Sequence, residues 1–112
     1  MSAQPQPATT ASGVAAPMHS SIMRFPGEPE ALLAGYDAFR AEIPDQKLIF
    51  HACLRGPDGI VIVDTCPSRQ AFEEFRDADW FREALDRHGL PFPDFEDHPV
   101  HVAFASGRRV SP

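Results

Sequence analysis

Two spacings run through this chain, one of two residues and one of three to four. Residues 20–25, 47–54, 59–65 and 99–105 carry apolar and β-branched runs bounded by turn residues, and each reads as a strand. Leu32, Leu33, Tyr36, Phe39 and Ile43 recur at helical spacing and predict a helix over residues 29–43 with one apolar face. Pro29 suits its first turn, where the missing N–H costs nothing, and Ile43 before Pro44 marks its end. Residues 68–88 predict a second helical region, with Ser68 as N-cap and Gly89 as the stop. Phe72, Phe75, Phe81, Ala84 and Leu85 supply its apolar positions. Asp77-Ala78-Asp79 predicts a break, with Asp79 capping the second piece. Pro91, Pro93 and Pro99 predict an extended stretch that stays out of a central sheet. The order β-α-β-β-α-β is that of an α+β, ferredoxin-like fold with an antiparallel sheet.

The turn between the middle strands decides which side chains share a face. In Gly56-Pro57-Asp58-Gly59, Pro57 and Asp58 fit the centre of a type I turn, and Gly59 fits the left-handed residue of a G1 bulge. That loop sets His51 opposite Thr65 and Asp64 opposite Ala52, so His51 and Asp64 point to opposite faces. A loop of even length reverses this. The bulkier set, Leu48, Phe50, Ala52 and Leu54 with Ile60 and Ile62, is assigned to the helices. Met23, Phe25, Val100, Val102 and Phe104 join it. Ser20, Ile22, Arg24, Ile49, His51, Cys53, Val61, Val63, Thr65, His101 and Ala103 are left on an uncovered face. A face this apolar predicts a homodimer that closes it, with the site between the two copies.

At 112 residues the chain is long enough for one domain, expected over 18–105 between a disordered tail (1–17) and a short C-terminal tail (106–112). Met18 directly precedes the first strand and offers an alternative start. A net charge of −6 leaves no basic footprint for nucleic acid or for an anionic membrane surface. No apolar run is long enough to span a membrane, and the start lacks a secretory pattern. These features predict a cytoplasmic protein in which Cys53 and Cys66 are reduced thiols. Two cysteines without a paired C-x-x-C motif, and His98 and His101 pointing to opposite sides of an extended segment, predict no metal site.

The stretch from Gly59 to Phe75 runs Gly-Ile-Val-Ile-Val-Asp-Thr-Cys, then Pro-Ser, then Arg-Gln-Ala-Phe-Glu-Glu-Phe. With the element order, it resembles the dimeric α+β barrel superfamily over residues 18–105. That superfamily includes antibiotic-biosynthesis-type monooxygenases, muconolactone-isomerase-like enzymes and polyketide cyclases. Cys66 stands where many relatives carry Trp. The His on the second strand and the ending His98-Pro-Val-His101 also resemble small bacterial proteins of this kind. The resemblance implies a dimeric barrel and a small-molecule site, on a scaffold that hosts many chemistries.

His51 interrupts an apolar strand and is the first candidate for general acid or base. His101 is the second. Three strand spacings of about 4.8 Å put the two roughly 14 Å apart in one chain, too far for a dyad. Arg24 suits an anionic substrate group, and Ser20, Ile22, Cys53 and Thr65 complete the predicted binding surface. Asp64 is expected at a strand end, capping backbone N–H groups, and His51 to act without it. Trp80 and the helical Phe residues are core or cavity wall. The expected activity is acid/base chemistry without an organic cofactor on a small apolar or aromatic molecule: isomerisation, cyclisation, dehydration or cofactorless oxygenation. A non-catalytic hydrophobic-ligand-binding dimer is the alternative. Haem binding, with His51 or His101 as axial ligand, is the third reading.

Overall fold

The computed structural model describes residues 17–43 and 48–111. Strands β1 (His19–Pro26), β2 (Phe50–Arg55), β3 (Gly59–Cys66) and β4 (Asp94–Pro99) form one antiparallel sheet in the order β2-β3-β1-β4. Helices α1 (Pro29–Glu42), α2 (Arg69–Asp77) and α3 (Asp79–Arg87) complete the ferredoxin-like α+β arrangement. The core has one side. Met23, Phe25, Ile60 and Ile62 from the sheet pack with Leu32 and Phe39 from α1 and with Phe81, Ala84 and Leu85 from α3. Phe25, Phe72 and Phe81 are fully buried, each a gain of about 1.5–3 kcal/mol over exposure.

Local chemistry explains the helix ends. Pro29 opens α1, and the Glu28 carboxylate accepts from the backbone N–H groups of Glu30 and Ala31. Ile43 is extended, as a residue before proline must be. The Ser68 hydroxyl accepts from Ala71 N–H and starts α2. The predicted break falls at Ala78, whose backbone is extended. Ala78 itself, not Asp79, occupies the N-cap of α3, with no side-chain cap bond; Asp79 lies one residue too late and sits in the first turn. Gly89 adopts a φ of +70° and ends α3.

Two further expectations fail, for different reasons. The fourth strand of the sheet is Asp94–Pro99, not 99–105. Its backbone pairs with β1 along the sheet edge, where proline at the end and charge along the strand are tolerated. Val100, Val102 and Phe104 therefore join no helix-covered face. Residues 104–105 (β5) and 108–109 (β6) instead form a small hairpin through Ser106 and Gly107, both at positive φ. Val102 and Phe104 are 40% and 65% exposed. The second failure is the turn. Gly56 N–H donates to the Gly59 carbonyl at 2.9 Å, and Arg55 faces Ile60, so the loop is Pro57-Asp58 alone. Gly59 does not bulge, because it is a ladder partner of Pro26 on β1. A Cβ there would collide with the Phe25 carbonyl.

That even loop turns β2 over. His51, Cys53 and Arg55 lie on the helix side with Ile60, Ile62 and Asp64, and Phe50, Ala52 and Leu54 lie on the open side with Val61, Val63 and Thr65. The tail expected over residues 1–17 falls, but for Pro17, outside the described residues.

Candidate functional site

His51 faces Asp64 directly across the β2–β3 ladder, both beneath the helices. Asp64 is buried, and one of its carboxylate oxygens is hydrogen-bonded to His51 Nδ1. An ionised carboxylate only accepts, so Nδ1 carries the proton. The other ring nitrogen, Nε2, lies 2.5 Å from the Tyr36 hydroxyl, which donates to it when the imidazole is neutral. The Tyr36 and His51 rings are parallel within 10°, with centroids 5.9 Å apart. Tyr36 reaches this place because it sits on the apolar stripe of α1, which the sheet must cover. The result is a chain of hydrogen bonds, Tyr36–His51–Asp64, drawn from one helix and two strands. Burial pushes the Tyr36 phenol above its ordinary range, the neighbouring Cys53 acts the same way, and Arg40 draws it back.

His51 and Asp64 form the polar corner of a small cavity between sheet and helices. Apolar residues make up the rest of the wall, among them Phe39, Ile43, Leu48, Phe75, Phe81 and Leu90, and Arg40 is the one other charged group. The cavity is small, about 30 Å³, and His51 in its wall has a side chain that is 24% exposed. A polar group in such a wall orients a ligand while the apolar remainder holds it. An imidazole pinned at Nδ1 by a carboxylate is held in one tautomer and one orientation, with Nε2 as the reactive nitrogen.

The polar row continues across the sheet. Ser21 on β1 faces Asp64 on one side and Asp97 on the other. Its hydroxyl is buried and has no hydrogen-bond partner among the described residues. Asp97 accepts from His19 Nε2 at 2.6 Å, and His19 is itself buried, against the Phe72 ring.

The predicted site residues do not share one place. Ser20, Ile22, Arg24 and Thr65 lie on the open side of the sheet, where Ser20 and Thr65 hydroxyls meet at 2.7 Å and Arg24 pairs with Glu96 at 3.1 Å. His51 and Cys53 lie on the other side, because the turn has even length. His101 is exposed beyond β4 and lines no part of the His51 cavity. Asp64 caps no helix; it holds His51. Cys53 and Cys66 are free thiols. Burial pushes Cys53 upward and takes Cys66 to about 11, with Asp64 adding to the latter. Neither is a ready nucleophile. Among the described residues no three His, Cys, Asp or Glu side chains converge to hold a metal, and no helix is long and apolar enough to cross a membrane. Nothing in the sequence marks Tyr36 and Arg40 as site residues: Tyr36 is one more member of a helical stripe, and Arg40 follows it by one helical turn.

No protein-family model matches the chain, and no curated protein matches it in sequence. Solved structures do match its fold. A candidate antibiotic biosynthesis monooxygenase from Chloroflexus aurantiacus aligns with a TM-score of 0.56 at 13% identity, over 79% of this chain and 97% of that one. SnoaB, a cofactor-independent oxygenase from Streptomyces nogalater, aligns with a TM-score of 0.57 at 18% identity, over 77% and 95%. A candidate antibiotic biosynthesis monooxygenase from Caulobacter crescentus aligns with a TM-score of 0.51 at 15% identity, over 76% and 91%. The chain thus has the ferredoxin-like α+β fold of the antibiotic biosynthesis monooxygenase proteins.

Proposed function

We propose that this protein is a cofactor-independent enzyme that removes a proton from a small, mostly apolar organic molecule, with His51 as the base. The observation that carries this reading is His51 held between Asp64 and Tyr36 at the wall of an apolar cavity. Nε2 exchanges its hydrogen bond from Tyr36 for one from the substrate and takes the proton. Asp64 steadies the imidazolium that forms, and the apolar wall keeps water from quenching the carbanion. Among the reactions open to such a carbanion, oxygenation is favoured by the fold shared with SnoaB. For an activated methylene group, one molecule of dioxygen is consumed for each ketone formed. One oxygen atom enters the new carbonyl, and the other leaves as water with both methylene hydrogens. The substrate supplies all the electrons, so no redox cofactor enters.

The test is a screen of aromatic C–H acids by oxygen uptake and mass spectrometry of the products, on wild type and His51→Ala. A positioned acid/base typically contributes about 10²- to 10⁴-fold, and His51→Ala is expected to lose at least the lower figure. Near-wild-type turnover in a folded His51→Ala protein sinks the assignment.

One observation favours a second reading. Nε2 is already engaged by Tyr36, which suits a non-catalytic ligand-binding protein whose polar corner is structural. Such a protein binds a hydrophobic molecule saturably and returns it unchanged, which the same mass spectra separate. Haem ligation is disfavoured by this geometry, since both nitrogens of His51 are hydrogen-bonded and His101 is outside the cavity.

The open side of the sheet supports a homodimer. Phe50 and Leu54 are about half exposed there, beside Ile22, Ala52, Val61 and Val63. An apolar surface of this extent is the kind a monomer rarely leaves in water.

A further inference from the structure

His51 has a second proton within reach besides that of a bound substrate: the phenol proton of Tyr36. Tyr36 Oη lies 2.5 Å from Nε2, and Nδ1 of the same ring is held by Asp64. A hydroxyl within hydrogen-bond reach of a base, with that base oriented by a third group, is the arrangement that activates a nucleophile. Here the hydroxyl is a phenol, whose ordinary pKa of about 10 makes it easier to deprotonate than an aliphatic alcohol. Tyr36 is half-buried and lines no part of the apolar cavity, so a reagent meets it from the solvent side. Burial keeps the phenol protonated at rest; Cys53, Asp64 and Asp37 act in the same direction and Arg40 against them. Its reactivity therefore depends on His51 taking the proton at the moment of attack.

A plain tie between α1 and the sheet is the other use such a bond could have. The rest of the α1 stripe, Leu32, Leu33, Phe39 and Ile43, carries no polar atom, and phenylalanine in place of Tyr36 would leave no hydroxyl to satisfy. Asp64 also exceeds what a tie needs. It is 3% exposed and gives one carboxylate oxygen to His51 Nδ1. A carboxylate buried behind an imidazole serves a ring that must receive a proton at its far nitrogen.

We propose that Tyr36 is a nucleophile, activated by His51 and positioned through Asp64, that accepts a small acyl group from an activated ester or thioester. Nε2 takes the phenol proton as Oη bonds to the carbonyl carbon. The tetrahedral intermediate then breaks the bond to the leaving oxygen or sulfur, and the proton on Nε2 passes to that leaving group. The product is an aryl ester on Tyr36, and nothing is oxidised or reduced. Asp64 is a positioning residue: it fixes the tautomer of His51 and steadies the imidazolium. The reaction shares its base with proton abstraction from a bound substrate, but it needs no occupant of the cavity.

The probe is p-nitrophenyl acetate. Tyr36 is the one tyrosine of the chain, so acetylated tyrosine has a single source. Wild type, Tyr36→Phe, His51→Gln and Asp64→Asn, each with native circular dichroism, are treated at neutral pH and quenched in acid. Release of p-nitrophenolate is followed by absorbance, and the acetyl group is located by peptide mass spectrometry. Wild type should release a burst of about one equivalent and carry the acetyl group on Tyr36. Tyr36→Phe should lose both. His51→Gln should slow acetylation of Tyr36 by about 10²-fold or more, the scale of a positioned base, and Asp64→Asn by about tenfold or more. Wild type unfolded in urea, where His51 and Asp64 no longer stand beside the phenol, should react at the slow rate too. Absence of acetyl from Tyr36 in folded wild type overturns the proposal, including when His51 alone is acetylated. An equal rate at Tyr36 in folded and unfolded protein, or in His51→Gln, also overturns it, since the phenol then reacts unaided. An unchanged rate in Asp64→Asn overturns the part given to Asp64. None of these results alters the oxygen-uptake screen, which reads a different substrate.

Discussion

Ser21 is the residue least at ease in this structure. Its hydroxyl is buried between Asp64 and Asp97 on the neighbouring strands, with no partner among the described residues. Leaving such a group unpaired costs about 1–3 kcal/mol. Ser21→Ala is therefore expected to be neutral or stabilising by up to about 1 kcal/mol in urea unfolding. A loss of more than about 1 kcal/mol would instead mark a buried water that bridges the two carboxylates through this hydroxyl. The same scale shows what the chain discloses and what it withholds. His51 is conspicuous in the sequence because it breaks an apolar strand. Asp64 is conspicuous too, but its meaning depends on which residue faces it. Tyr36 and Arg40 are inconspicuous, because a helix stripe needs an aromatic and a helix end welcomes a cation whatever the site requires.

Among the elements, α1 and the α2–α3 break follow from residues close in sequence: Pro29, Ile43 before proline, Ser68 and the short Asp-Ala-Asp segment. The two features that were illegible depend on distant partners. The β2–β3 turn is decided by Gly59, which pairs with Pro26 rather than bulging, and only β1 in place makes that so. The strand β4 reads Asp-Phe-Glu-Asp-His-Pro, a poor strand composition with Phe95 as its one apolar anchor. Its extended form comes from the β1 edge it completes. The site inherits both problems: His51 meets Asp64 only through the turn. Gly59→Ala should thus destabilise more than Gly89→Ala. The former drives a Cβ into the Phe25 carbonyl, whereas at Gly89 no atom lies within 4 Å and only the positive φ is strained. The Gly89 substitution should cost about 1–2 kcal/mol, and the Gly59 one more than that, as read from paired denaturation curves.

For the whole molecule, the sheet is the dividing plane. One side carries core, cavity and the His51 chain; the other carries Phe50, Leu54 and the exposed Phe104 of the terminal hairpin. A homodimer through that second side is expected to have about twice the mass of the 12.3 kDa chain in light scattering. Its interface should fall near the standard size of about 800 Å² per partner. Leu54→Asp should yield a monomer, since it places an unpaired charge in that apolar surface without touching the cavity. A wild-type protein of monomer mass at micromolar concentration would remove the dimer from the account. The cavity is lined by residues of one subunit, so the Leu54→Asp monomer should retain the His51-dependent turnover.

The turn Pro57-Asp58 has a bearing on how this protein can vary over generations. Both residues are exposed, and their side chains line no part of the His51 cavity. New letters at either position should pass nearly unnoticed. The gain of a single codon between them is another matter. It turns β2 over, carries His51 out to the open side and brings Phe50 or Ala52 under the helices, with every residue of the site spelled as before. Two added codons restore the orientation. The lineage of such a protein should therefore show turns that differ freely in spelling but change length in steps of two.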